Sequence, residues 1–191
     1  MINESFDSFL LFEKFVKEFG EDDLSHEEEL ELTREFNTKF GRTLLSSNRV
    51  EFKKDEDGKP VYITFNDTAH FKARVMQRYP DLTSKKLVQI AKTIALGIVR
   101  SKEDLFHKSR DNSVLVFSKS KNIGVYVLFN KNNSTSEPYE LVFKTILPHG
   151  RDDISRSSDE KYIVEKLKLD YGINVLELEF DFEKNEYDKN L

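Results

Sequence analysis

His70, Arg74 and Arg78 recur every four residues in the stretch DTAHFKARVMQRYP, residues 67–80. On a helix this spacing keeps the three side chains near one another along one side, drifting slowly round the axis. Histidine titrates near neutrality and moves protons. Arginine holds phosphate oxygens in a two-pronged fork. Together they could deprotonate a ribose 2′-OH, or protonate a leaving oxygen, while stabilising charge on phosphorus. The same spacing also describes an ordinary solvated helical face, because Phe71, Val75, Met76 and Tyr79 fill the opposite side. Spacing alone favours that plainer account.

Further candidates lie downstream. In VFKTILPHGRDD (142–153), Lys144 and Thr145 sit on a strand and point to opposite faces. Thr145 then shares its face with Leu141 and Phe143, where a hydroxyl needs a partner and could border a site. Threonine also simply suits strands. His149, Arg151 and Arg156 fall in the loop after Pro148. Lys119 and Lys121 occupy a hairpin turn, where they could contact a nucleic-acid backbone or only keep the turn soluble.

The charge distribution gives these residues a setting. Residues 62–150 carry 14 Lys/Arg and 7 Asp/Glu, a balance of +7, although the whole chain stands at −5. Residues 1–48 carry 5 bases and 12 acids, a balance of −7, and residues 151–191 carry 7 bases and 12 acids, a balance of −5. A basic centre between acidic flanks suits a polyanionic partner such as RNA. It equally suits flanks that fold back on the centre, or acidic flanks that engage a host protein.

The elements that position these residues follow from periodicity. Phe6, Phe9, Leu10, Phe12, Phe15, Val16 and Phe19 predict a helix over residues 5–19. Ser25 and Glu28 form a capping box opening a second helix that runs to about Phe40, with Gly41 as its cap. Short extended runs at 49–52 and 61–65 flank a polar turn and predict a hairpin. The 67–80 helix stops at Pro80. The next helix begins at Thr83 or Ser84 and carries Gly97 near its end. Strands are predicted at 113–118, 123–130 and 138–148; they are apolar at both parities, so both sheet faces are covered. Ser157 and Glu160 open a last helix, and NVLELEFDF (174–182) alternates as a half-exposed strand. The expectation is an α+β fold. A small antiparallel sheet of about four strands is packed by two central helices, with an N-terminal helical hairpin and a C-terminal helix–strand extension. The predicted organisation is an acidic hairpin at 1–48, a basic core at 49–150 and an acidic extension at 151–191.

This order, with TAHFKARVMQR opening the first central helix and VFKTILP on the last strand, resembles the barnase/colicin/RelE-type (BECR) ribonuclease superfamily and its phage-encoded or RegB-like branches. The resemblance covers about residues 62–150. It rests on His70-x-x-x-Arg74 and on Lys144–Thr145, which match the family's helix and strand motifs. It implies metal-independent RNA cleavage, in which the 2′-OH attacks phosphorus to leave a 2′,3′-cyclic phosphate. His70 would be the acid or base, Arg74 and Lys144 would stabilise charge, and Thr145 would hydrogen-bond the scissile phosphate. Arg78, Lys119, Lys121 and Arg151 would bind flanking RNA, and His149 would be a reserve proton carrier. The target would be mRNA or tRNA, as for a phage or toxin-type protein. The alternative is a non-catalytic protein of phage type that binds RNA or a ribosome, or inhibits a host protein.

Other chemistries find no motif. There is no cysteine, so thiolate catalysis and Cys-based zinc sites are excluded. There is no glycine-rich phosphate loop, no G-x-S-x-G and no H-E-x-x-H. His26 sits among Glu27, Glu28 and Glu29 on a surface turn, a poor metal site. No cofactor and no metal are expected. The N-terminus lacks a basic signal-like start, and no apolar run approaches the ~20 residues that span a bilayer. The expected location is the cytoplasm, with no membrane association.

Overall fold

The computed structural model describes residues 24–101, 112–119, 123–147, 173–180 and 182. Three helices fall within them: α1 (His26–Phe40), α2 (Ala69–Arg78) and α3 (Ser84–Arg100). Six strands form one sheet: β1 (Arg49–Lys54), β2 (Pro60–Asp67), β3 (Ser113–Ser118), β4 (Gly124–Lys131), β5 (Tyr139–Leu147) and β6 (Asn174–Leu178). No helix among the described residues is long and apolar enough to cross a membrane. The predicted helices at 5–19 and from Ser157 lie outside the described residues.

The strand order is β1-β2-β5-β4-β3-β6. Hairpins join β1 to β2, β3 to β4 and β4 to β5 in antiparallel fashion, while β2–β5 and β3–β6 are parallel. The chain is α+β, but the expected antiparallel sheet of about four strands is corrected to a mixed, curled sheet of six. The 49–67 hairpin and the C-terminal strand both enter that one sheet through its parallel joins. A parallel partner must be reached by a long crossover, so it lies far away in sequence and leaves no local signature.

The elements obey local rules. Ser25 Oγ accepts from the Glu28 amide at 3.2 Å, and Glu28 Oε2 accepts from the Ser25 amide at 2.8 Å, completing the capping box of α1. These hydrogen bonds with Ser25, its backbone amide first, hold the Glu28 carboxyl below its ordinary pKa. Gly41 ends α1 at φ 84°, where a side chain would be strained. Thr68 and Thr83 cap α2 and α3 through their hydroxyls.

One sheet face packs on α2 and α3. Ile63 and Phe65 of β2, Leu141, Phe143 and Ile146 of β5, Val125 and Val127 of β4, and Val114 and Val116 of β3 meet Phe71, Val75, Leu87, Ile90 and Ile94. The opposite face is buried as well, at Leu115, Phe117, Tyr126 and Leu147. Helix α3 touches both outer strands, β1 and β6, so the sheet curls around it. Gly97 makes that closure possible. It lies near the end of α3, as expected, and a Cβ there would stand 2.4 Å from Leu178 Cδ1.

Candidate functional site

Helix α2 begins where β2 stops. β2 pairs with β5 only as far as Asp67 opposite Phe143, which leaves the next β5 carbonyls on that side without a strand. The helix supplies the missing donors. Thr68 Oγ1 donates to the Lys144 carbonyl at 3.0 Å and accepts from the Phe71 amide at 3.1 Å, and Arg78 donates to the Ile146 carbonyl. Unpaired carbonyls at a buried sheet edge are costly, so these contacts fix α2 along β5.

The chemistry-bearing side of α2 then faces α1. His70 Nδ1 lies 2.9 Å from Glu29 Oε2, and its side chain remains 26% exposed. Arg74 Nε lies 3.5 Å from His70 Nε2, while Arg74 Nη1 donates to Gln77 Oε1 at 2.8 Å. With Nδ1–H donated to the carboxylate, Nε2 carries the lone pair. The result is a line of side chains, Glu29–His70–Arg74–Gln77. Arg74 is 2% exposed, so its charge is spent within the fold rather than displayed at the surface. Lys72 of α2 is tied down too. Lys72 Nζ donates to Asn37 Oδ1 and to the Arg42 carbonyl, both at 3.0 Å, and stands 3.7 Å from Asp67 Oδ1. Burial pushes the Asp67 carboxyl above its ordinary pKa, with the Lys72 charge opposing the shift.

The structure places the strand residues elsewhere. Tyr126 opposes Thr145 and Val127 opposes Phe143, so Lys144 is the extra residue of a β-bulge. A bulge reverses the alternation beyond it. Phe143 and Ile146 both face the helices, and Thr145 pairs with Tyr126 on the other face. Thr145 therefore does not share a face with Leu141 and Phe143, as simple alternation predicts. It is buried, and its hydroxyl has no hydrogen-bond partner among the described residues. Lys144 is half-buried beside the Thr68 cap. Lys119 is exposed at the end of β3, its amide bound to the Leu178 carbonyl at 2.9 Å. Lys121, His149 and Arg151 lie outside the described residues.

The structure thus brings His70 and Arg74 together, sets Arg78 one turn further along, and leaves Thr145 on the far face of the sheet. Glu29 and Gln77 join the cluster without a sequence signal. Glu29 reads as one of three acids in a helix's first turn, and only the packing of α1 on α2 makes it a histidine partner. Among the described residues, no group of three or more His, Asp or Glu could hold a metal ion. Comparison with protein-family models, with curated proteins and with solved structures finds no match to the chain.

Proposed function

We propose that this protein is a metal-independent endoribonuclease in which His70 is the proton-accepting group. The observation that carries the reading is the Glu29–His70 pair, a partly exposed imidazole oriented by a carboxylate so that Nε2 holds the lone pair. In the reaction, Nε2 takes the proton of a ribose 2′-OH as that oxygen bonds to the adjacent phosphorus. The bond from phosphorus to the 5′-oxygen breaks, water protonates the leaving oxygen, and a 2′,3′-cyclic phosphate and a 5′-OH result. The 3.5 Å contact from Arg74 is at the long limit of a hydrogen bond, so it engages the Nε2 lone pair only weakly. Arg74 is buried, so its positive charge acts on the charge developing at phosphorus from behind His70 rather than by contact. An mRNA or tRNA substrate sets the action in the cytoplasm.

The test is incubation with mixed-sequence RNA in EDTA, with end-group analysis of the fragments. Cyclic-phosphate ends that vanish in His70→Ala, and a rate lowered about 10- to 100-fold in Glu29→Gln, are the expected results. Intact RNA, or undiminished cleavage by His70→Ala, overturns the proposal.

A second reading has its own observation. Arg74 is buried and both imidazole nitrogens already have partners, the arrangement of a polar joint between α1 and α2. On that reading the chain binds RNA, a ribosome or a host protein without cutting, and the acidic flanks contribute to the protein contact. RNA binding without cyclic-phosphate products separates it from the first.

A further inference from the structure

Gln77 ends the line Glu29–His70–Arg74–Gln77 and takes no part in the proton transfer. Its side chain is exposed, whereas Arg74 behind it is 2% exposed. Arg74 Nη1 lies 2.8 Å from Gln77 Oε1. A guanidinium only donates, so the amide oxygen must face Arg74 and the NH2 group must point away from it. The orientation that a surface glutamine ordinarily leaves open is thereby fixed, with the oxygen held inward and the N–H donors turned outward. His70 and Gln77 are seven residues apart, so they share one side of α2, about 10.5 Å apart along its axis, with Arg74 between them. At about 3.4 Å per nucleotide of a stacked strand, that separation is about three nucleotides.

The amide at this position is informative. A buried guanidinium needs an acceptor, and a carboxylate would be the stronger one. Glutamine satisfies Arg74 without cancelling its charge, and it adds outward donors that a carboxylate lacks. Both properties suit an anionic partner.

We infer that Gln77 is a substrate-binding residue, whose Nε2 donates to a phosphate oxygen of the RNA about three nucleotides from the cleaved bond. The inference deepens the proposed function and rests on it. The bond from Arg74 to Oε1 polarises the amide and strengthens its outward donors. The amide is neutral, so its contact with phosphate releases no counterion and adds nothing to the salt dependence of binding. A contact to the backbone is also independent of base sequence.

The test uses the full chain and a fluorescein-labelled 2′-O-methyl RNA 12-mer, which lacks the nucleophilic hydroxyl and is not cut. Gln77→Glu keeps an acceptor for Arg74 and removes the donors, while Gln77→Met keeps the length and removes both. Gln77→Glu should raise Kd at least about tenfold, and Gln77→Met about three- to tenfold. The slope of log Kd against log salt should stay native in Gln77→Met. With cleavable RNA, both variants should raise KM and leave kcat within about twofold of native. Gln77→Glu should melt at or above the native temperature, because its carboxylate pairs with Arg74. A merely structural Gln77 would then leave its Kd native. Asn133→Glu, exposed in the turn before β5, is the control for added charge and should change Kd less than about twofold. Native Kd in both Gln77 variants overturns the inference. So does a loss in Gln77→Glu no greater than in the control, or an altered salt slope in Gln77→Met. A chain that cuts RNA with native constants in both variants loses this contact and keeps its catalysis. A chain that binds the 12-mer through Gln77 but cuts no RNA keeps the contact and loses the catalysis. A native chain that does not bind the 12-mer overturns the contact itself.

Discussion

Two buried polar side chains set tests at the scale of single residues. Thr145 buries a hydroxyl with no partner among the described residues, and such a group costs about 1–3 kcal/mol. Thr145→Val keeps the shape and removes the unmet need. It should stabilise the fold by about 1 kcal/mol in urea melts. It should also leave RNA cleavage unchanged, because the side chain faces away from α2; a lost activity would return Thr145 to the site. Asp67 is the second case. Its side chain is 8% exposed, Oδ2 has no partner among the described residues, and burial raises its pKa above 3.8. The folded state therefore binds this proton more tightly than the unfolded state does. The contribution to stability is greatest below the unfolded value of 3.8 and is lost as pH rises through the raised folded value. Asp67→Asn removes that dependence. Relative to the native chain it should gain stability in the pH range above 3.8 and gain nothing below it, measured as the difference in melting temperature between pH 3.5 and pH 7.

At the scale of elements, most of the helices were legible and the strand irregularity was not. Ser25 and Glu28 announce the start of α1 and Gly41 its end, because capping is a matter of adjacent residues. Pro80 likewise limits α2. The bulge at Lys144 leaves no such mark: it forms because β4 and β5 meet with unequal numbers of residues, which depends on both strands. Simple alternation therefore set Thr145 on the wrong face. Gly97 shows the same limit within a helix. Its place near the end of α3 is legible, but its cause is not: Leu178 of β6 occupies the space of its missing side chain. Gly97→Ala should gain about 1 kcal/mol of helix propensity and lose about 1–3 kcal/mol to overpacking. The loss prevails because the Leu178 branch carbon, at 3.0 Å, is too close as well as its methyls, so turning the methyls alone does not clear the clash. The net destabilisation should be about 1 kcal/mol. In a double-mutant cycle Leu178→Ala should abolish the overpacking part, and simple additivity of the two changes would refute the contact.

At the scale of the whole molecule, sequence periodicity showed the strands at 113–118, 123–130 and 138–148 but not how the sheet extends beyond them. Both parallel joins connect segments separated by helices or by other strands, and pairing over such distances is decided by the packed core. This has a consequence for the basic segment at 49–150, which the charge pattern marks off as a unit. Phe36 of α1 is fully buried in the core on the helix face of the sheet, Lys72 is held by Asn37 and Arg42, and β6 supplies the partner strand for β3. A fragment of residues 49–150 would lack Phe36 and Leu45, both fully buried, and would expose the β3 edge. Removing one large core side chain alone costs about 3–5 kcal/mol, against a total stability of about 5–15 kcal/mol for a domain. An unpaired buried edge adds to that loss and invites aggregation. The fragment should therefore show no cooperative thermal transition by circular dichroism and little dispersion of its amide proton resonances. The full chain should unfold in one step, since α1, β1 and β6 are parts of one core. A fragment that melts cooperatively with native-like spectra would mean that the basic centre is an autonomous domain and that α1 and β6 are additions to it.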